Sequence, residues 1–280
     1  MLNIETPAKI NLTLEVLGKR GDGYHEIRSI IQPISLCDIL HFELNDDISI
    51  ESDMPGWTAE ESLVLKTVNL LKEATGCRKG VNIQIEKHIP LVSGLGGDSS
   101  DAAVVIRGLN RLWELELSIE QMFDLAGQLG SDVYYFLAGG SVLAEGRGEI
   151  LTPLPSLPHK WIVLAVPPVT RLRSKTKQLY DSLEASHYTD GQITDRLVEV
   201  MKAGRGFEPS YLFNTFENVA FTLFSELNIA REHFIKLGAP FVHLAGSGPT
   251  LFTLLDDEAK AEELCSLLKT QNMEAYLAEL

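Results

Sequence analysis

Residues 90 to 103 (Pro-Leu-Val-Ser-Gly-Leu-Gly-Gly-Asp-Ser-Ser-Asp-Ala-Ala) constrain what this chain can fold into more than any other stretch. Just before them, Val81, Ile83 and Ile85 alternate with Asn82, Gln84 and Glu86, the period of a half-buried strand. After them, Ala102, Ala103, Ile106, Leu109 and Trp113 recur at helical spacing, which predicts a helix over 99–113 with Ser99 or Ser100 as its N-cap. A glycine-rich turn therefore joins a strand to a helix start. Such a start carries unpaired N–H groups and the positive end of the macrodipole, and glycines let backbone approach an anion closely. A Walker loop is excluded, because no lysine lies between Gly94 and Ser100. A dinucleotide fingerprint is excluded too, since Gly94-Leu-Gly96-Gly97-Asp98-Ser99 ends in serine. A plain connector would need neither the paired serines nor the alanine-rich helix start, so phosphate binding is the expectation.

Composition sets the class. The 280 residues carry a net charge of −15, with 45% apolar and 22% charged residues, as in a globular protein with an ample core. The acidic balance argues against a nucleic-acid partner or an anionic membrane surface. It also requires any phosphate site to work through local amides and a few cations. No apolar run approaches the ~20 residues needed to span a bilayer. The opening Met1-Leu-Asn-Ile-Glu-Thr lacks a basic and an apolar signal region, and Cys37, Cys77 and Cys265 are scattered. A cytoplasmic protein without disulfides or a cysteine-bound metal is expected.

Along the chain, Ala8, Ile10, Leu12, Leu14 and Val16 alternate with Lys9, Asn11, Thr13 and Glu15. That is an amphipathic strand with Lys9 and Asn11 on one face. Residues 18–23 form a turn-rich hairpin tip, followed by Tyr24 and His25, an aromatic face beside a two-sided hydrogen-bonding ring. Strands are expected over 27–36, 38–44 and 47–52, and a helix from about Leu63 that stops at Gly76. Ser118-Ile-Glu-Gln121 reads as a capping box opening a helix that ends at Gly130. Pro153, Pro155 and Pro158 mark a connector, which places a domain boundary near residue 155 and predicts domains of 1–155 and 156–280. Beyond it come a strand at 161–166, a helix over 176–184, helices near 192–202, 216–226 and 228–237, and a strand at 240–244. A strand at 250–255, a helix near 257–270 and a strand at 273–278 then complete a βαβ-like half.

Three stretches read together resemble one superfamily. They are Pro7-Ala8-Lys9-Ile10-Asn11-Leu12, the segment Pro90 with Gly94 to Ala103, and Gly246-Ser247-Gly248-Pro249-Thr250. In this order they are similar to the signatures of the galactokinase, homoserine kinase, mevalonate kinase and phosphomevalonate kinase superfamily. Within it, Gly23-Tyr24-His25-Glu26 and Gly130-Ser131-Asp132-Val133 most resemble the family of 4-diphosphocytidyl-2-C-methyl-D-erythritol kinases. The motifs span residues 7 to about 250, nearly the whole chain. The resemblance implies an α+β, two-domain small-molecule kinase fold. Its N-terminal α/β domain would be like domain 2 of ribosomal protein S5 and its C-terminal α/β domain ferredoxin-like, with the active site in the cleft between them.

The resemblance also implies roles. Lys9 and Asp132 would be catalytic, with Asp132 as the base and Lys9 as its counter-charge beside the reacting hydroxyl. Pro90, Gly94, Leu95, Gly96, Gly97, Asp98, Ser99, Ser100, Gly246, Ser247 and Gly248 would hold ATP. Asn11, Tyr24, His25 and Tyr180 would contact the acceptor, with Tyr180 stacking on its cytosine. Mg²⁺ would accompany ATP, with Ser100 as a candidate hydroxyl ligand. The expected reaction is phosphorylation of the 2-hydroxyl of the cytidine-diphosphate-linked methylerythritol, on the non-mevalonate route to isoprenoid precursors. Its alternatives are a homoserine- or mevalonate-type kinase, or a non-catalytic nucleotide-binding protein. Monomer and homodimer stay equally open. Two departures stand out: Tyr134 occupies a position where the family usually carries proline. Asp98 would repel a triphosphate unless it points to solvent or meets the cation.

Overall fold

Two long strands run through the fold. In the computed structural model, which describes residues 1–169 and 175–280, β1 (Leu2–Lys19) and β2 (His25–Asn45) are joined by a turn closed by Arg20 N donating to Tyr24 O at 2.8 Å. The strands expected separately over 27–36 and 38–44 are one continuous run, because nothing at Cys37 breaks the extended backbone. The chain divides into two units. The first holds Met1–Ala8, Cys37–Leu91 and Gly96–Gly139; the second holds Lys9–Leu36, Val92–Leu95 and Gly140–Leu280. Both long strands and the glycine-rich turn pass from one unit into the other.

The first unit contains β3 (Ile48–Ser52), α1 (Leu63–Thr75), β4 (Gly80–Glu86), α2 (Gly97–Leu112), α3 (Ile119–Leu129) and α4 (Ser131–Ala138). Strand β4 pairs antiparallel with Ile39–Asn45 of β2 and parallel with β3. Its alternation buries Val81, Ile83 and Ile85, as the period predicts. Helix α1 stops where glycine can turn left-handed, at Gly76 with φ 68°. Helix α3 opens on the Ser118–Gln121 capping box. Helix α2 lies close on the sheet: a Cβ at Gly108 would meet the Phe42 ring at 2.9 Å. The start of α2 corrects the sequence reading. The helix begins at Gly97 with Gly96 as N-cap (φ 79°), and no side chain caps it. Ser100 cannot serve because its hydroxyl is fully buried against Thr6 Oγ1 and donates to Pro7 O at 2.7 Å.

The second unit adds β5 (Val142–Gly146), β6 (Ile150–Pro153), β7 (Trp161–Val166), α5 (Lys175–Asp181), α6 (Gln192–Lys202) and β8 (Phe213–Asn214). It continues through α7 (Glu217–Leu223), α8 (Ser225–Lys236), β9 (His243–Leu244), β10 (Leu251–Leu255), α9 (Glu258–Thr270) and β11 (Glu274–Glu279). Here Thr13 and Leu14 of β1 pair parallel with β8, and β2 pairs antiparallel with β5. A separate four-stranded sheet has the order β11-β7-β10-β9. Since β10 and β11 both run antiparallel to β7, they are parallel to each other with β7 between them. The β10–α9–β11 crossover is thus a split βαβ unit, which refines the βαβ-like expectation. Val163, Phe216, Phe234, Leu251 and Leu264 belong to its core. The strand expected at 240–244 keeps only His243 and Leu244, and the helix expected at 176–184 ends at Asp181. No helix among the described residues is long and apolar enough to cross a membrane.

One buried charge cluster underlies α2. Lys87 Nζ, following β4, donates to Asp38 Oδ2 at 2.5 Å and to Asp101 Oδ2 at 2.7 Å, and all three side chains are sealed from solvent. Asp38 Oδ1 also accepts from the amides of His88 and Ile89, whereas Asp101 Oδ1 has no hydrogen-bond partner. Two carboxylates against one ammonium leave a surplus negative charge. Burial, only partly offset by Lys87 and reinforced by Asp38, raises the Asp101 carboxyl from 3.8 to about 8.

A carboxyl whose pKa is raised on folding stabilises the fold below its unfolded value, and that contribution is lost as pH rises through the folded value. Between about pH 4 and about pH 8 the folded chain holds a proton that the unfolded chain releases, so stability declines across that window. Asp101→Asn keeps a neutral group facing Lys87 and flattens the decline. Thermal midpoints of both proteins at about pH 5 and about pH 9 check it. Equal declines would show that Asp101 is ionised throughout.

Candidate active site

The glycine-rich turn is built by close backbone approach. In the second unit, Gly94 takes φ 85°, and a Cβ there would lie 2.9 Å from Gly248 N and closer still to Ala245 O. A Cβ at Gly246 would lie 3.1 Å from Gly94 O, 3.2 Å from Lys9 Nζ and 3.4 Å from Asn11 Oδ1. The Pro7–Leu12, Gly94 and Gly246 motifs, far apart in the chain, therefore meet. Lys9 is 5% exposed, its Nζ donates to Asn11 Oδ1 at 2.9 Å, and its amide donates to Leu95 O at 2.9 Å. Period-2 geometry put Lys9 and Asn11 on one face, and that face is buried rather than solvated.

Two supporting residues carry no signal of their own in the sequence. Ser29 accepts from Asn11 Nδ2 at 2.8 Å and donates to Thr13 O at 2.6 Å, which fixes the Asn11 amide with its oxygen toward Lys9. Asn214 donates to Leu244 O and Gly246 O at 2.9 and 2.8 Å. It ties β8 to the Gly246 turn. A side-chain amide clamping two carbonyls 30 and 32 residues away leaves no local pattern.

In the first unit, Gly97 has no room for a side chain, since a Cβ would meet Ile89 Cγ2 at 2.8 Å. With Gly96 as an N-cap lacking a side chain, the opening amides of α2 are left for a ligand or water. Such an array fits a phosphate chain. Asp98 is half-buried and already has protein donors. Its carboxylate accepts from Ser62 Oγ at 2.6 Å and from Leu63 N at 3.1 Å, so it is spent on the N-terminus of α1. Pro90 is buried just upstream, and Ser99 is half-buried in the first turn of α2.

Asp132 also lies in the first unit, half-buried in the first turn of α4 after Gly130. Burial, and next the Asp132 charge, push the Tyr135 phenol well above its usual range. Tyr134 donates its amide to Gly130 O at 3.2 Å, a bond proline could not make, and its ring packs on Phe123 at 4.5 Å. The first turn of α4 is thus held by a backbone bond that a proline at this position would forgo.

The residues expected around the base are gathered in the second unit. His25 and Tyr180 stack at 4.7 Å with an interplanar angle of 17°, and Phe216 meets Tyr180 edge-on at 4.8 Å. Burial, and secondarily the Lys19 charge, lower the His25 pKa, so its ring is a neutral donor–acceptor at pH 7. Tyr24 stands apart, 56% exposed at the hairpin tip with the Arg147 guanidinium 4.6 Å from its ring centre.

Among the described residues no group of three His, Cys, Asp or Glu side chains could hold a metal ion. The Ser100 hydroxyl is committed to Thr6 and Pro7. A protein-built magnesium cage does not fit these donors.

Replacing Gly94 with alanine drives a methyl group into Ala245 O at a backbone angle that L-residues rarely adopt. The expected cost is about 2 kcal/mol or more, read as a lowered denaturation midpoint. Asp98→Gly removes the anchor of α1 and costs about 1 kcal/mol. Unchanged stability in either variant would contradict the corresponding contact.

Known proteins share this organisation. Residues 62–140 match the model of the GHMP kinases N terminal domain, and residues 195–273 match that of the GHMP kinases C terminal domain. A 4-diphosphocytidyl-2-C-methyl-D-erythritol kinase of Dehalococcoides mccartyi is 50% identical over 277 residues, covering 99% of this chain and 97% of the relative. A crystal structure of 4-(cytidine 5'-diphospho)-2C-methyl-D-erythritol kinase superposes with TM-score 0.84 at 33% identity, covering 99% of this chain and 98% of that one. Homoserine kinase from Cytophaga hutchinsonii shares the fold, with TM-score 0.70 at 17% identity over 99% of this chain and 94% of that one. The glycine turns, the Lys9–Asn11 pair and this full-length similarity place the chain in the 4-diphosphocytidyl-2-C-methyl-D-erythritol kinase family of the GHMP kinases.

Proposed function

We propose that the chain transfers the γ-phosphoryl group of ATP to the 2-hydroxyl of 4-diphosphocytidyl-2-C-methyl-D-erythritol, releasing the 2-phosphate and ADP. The observation that supports this most is the meeting of Lys9, Asn11, Gly94 and Gly246: an oriented ammonium beside a turn that no side chain can fill. Phosphoryl transfer asks chiefly for positioning and charge neutralisation, and this arrangement offers both.

In this reading the amides that open α2 and the Gly246–Gly248 turn grip phosphate oxygens. Asp132 accepts the proton of the acceptor hydroxyl as its oxygen attacks the γ-phosphorus, while ADP leaves. Lys9, held by Asn11, offsets charge on the transferring group. His25 reads the cytosine edge, and Tyr180 supplies the stacking face. Mg²⁺ bound with the nucleotide would supply further neutralisation of the triphosphate charge. The protein acts in the cytoplasm on a small-molecule acceptor.

Offering the cytidyl compound, homoserine and mevalonate in parallel with ATP tests the substrate. Turnover is expected only with the acceptor that carries the base; comparable rates on the others would defeat the assignment. Asp132→Asn is expected to lose at least about 100-fold in kcat with ATP affinity retained. A fully active variant would remove Asp132 from the chemistry. His25→Ala is expected to raise KM for the cytidyl acceptor about tenfold, through the lost base contacts, and to leave KM for ATP unchanged.

A further inference from the structure

Two lysines approach the Gly246–Gly248 turn, Lys9 and Lys175. Lys175 opens α5 and is 6% exposed. A Cβ at Gly248 would come within 3.2 Å of Lys175 Nζ, as one at Gly246 would come within 3.2 Å of Lys9 Nζ. The helix is held to the turn by a 2.8 Å hydrogen bond between Thr176 Oγ1 and Ser247 Oγ. Among the described residues no carboxylate pairs with Lys175, and its Nζ lies 4.9 Å from the centre of the Phe224 ring. Burial alone depresses its ammonium pKa from 10.5 to about 8.

A lysine kept out of water without an anion is costly, and one placed by a packed helix start has little freedom to escape. In a chain of net charge −15, a buried ammonium set against a glycine that has no side chain is suited to a strong oxyanion. Phe224 lends a π-face that holds the cation while the site is empty of anions. We infer that Lys175 is a second phosphate-contacting cation, binding through its ammonium a phosphate group seated at the Gly246–Gly248 turn. The inference rests on the reading of that turn as a phosphate site. Both reactants carry phosphate chains, the nucleotide donor and the cytidine-diphosphate acceptor, and the ligand chemistry is the same for each.

Lys175→Met removes the charge and keeps the length of the side chain against Phe224, with Lys175→Gln as a second variant should the first not fold. Calorimetric titration of each folded variant with ATP and, separately, with CDP reads the contact. A rise of about tenfold or more in one dissociation constant is expected, the size of a lost charge-assisted hydrogen bond, and the nucleotide affected identifies the source of the phosphate. Thermal stability of the ligand-free variant is expected to hold or rise, because a buried uncompensated charge has gone. Unchanged affinity for both nucleotides in a folded variant would overturn the inference. Wild-type turnover of the cytidyl acceptor is measured separately. Its absence would refute the proposed substrate, while the ATP titration would still decide the role of Lys175.

Discussion

The contact between two glycine turns governs the second unit. Gly94 and Gly246 approach so closely that a single Cβ on either would strike the other's backbone or its neighbours. At Gly94 the obstacle is backbone, which no rotamer relieves, and at Gly246 any added Cβ would crowd Gly94 O at 3.1 Å with φ 56°. What remains at the surface of the contact is backbone and the tips of long side chains. Lys9 reaches it from β1, and its own amide donates to Leu95 O, so strand and turn share one anchor. In a strongly acidic chain the Lys9 ammonium at this contact is a local positive spot against an opposing global field.

The first unit solves a related problem with charge. Lys87 ties Asp38 of β2 to Asp101 of α2, and Asp38 also caps the amides of His88 and Ile89. Such a buried cluster costs about as much in desolvation as its attractions return, so its contribution is to position rather than to net stability. It fixes the segment that leads into the glycine-rich turn and the first turns of the helix that leaves it. Asp98 performs a similar service one turn earlier, facing the start of α1. The opening of α2 is thereby held from two sides with its own amides left uncapped by side chains.

Much of the fold was legible because its signals are local. The capping box at Ser118, the stop at Gly76 and the alternation of β1 and β4 each depend on residues a few positions apart. The misreadings share one cause. Ser100 has the right chemistry and nearly the right place for an N-cap, yet its hydroxyl is taken by Pro7 O and Thr6. Asp98 looked like an unwelcome charge because its partners, Ser62 and Leu63, lie 35 or more positions upstream. Ser29 and Asn214 support the site by hydrogen bonds to distant groups, which no pattern of neighbours announces.

By itself the sequence determined the kinds of element and the ordered motifs, and through them the family. Periodicity and residue chemistry are properties of short stretches, fixed before any stretch meets another. Tertiary structure alone decided which partner each polar group takes: that Lys9 faces Asn11 and Gly246, that Asp98 is spent on a helix end, and that Lys175 is buried beside Gly248. A side chain able to hydrogen-bond in several ways is committed only when packing brings one partner within reach and shuts water away from the rest.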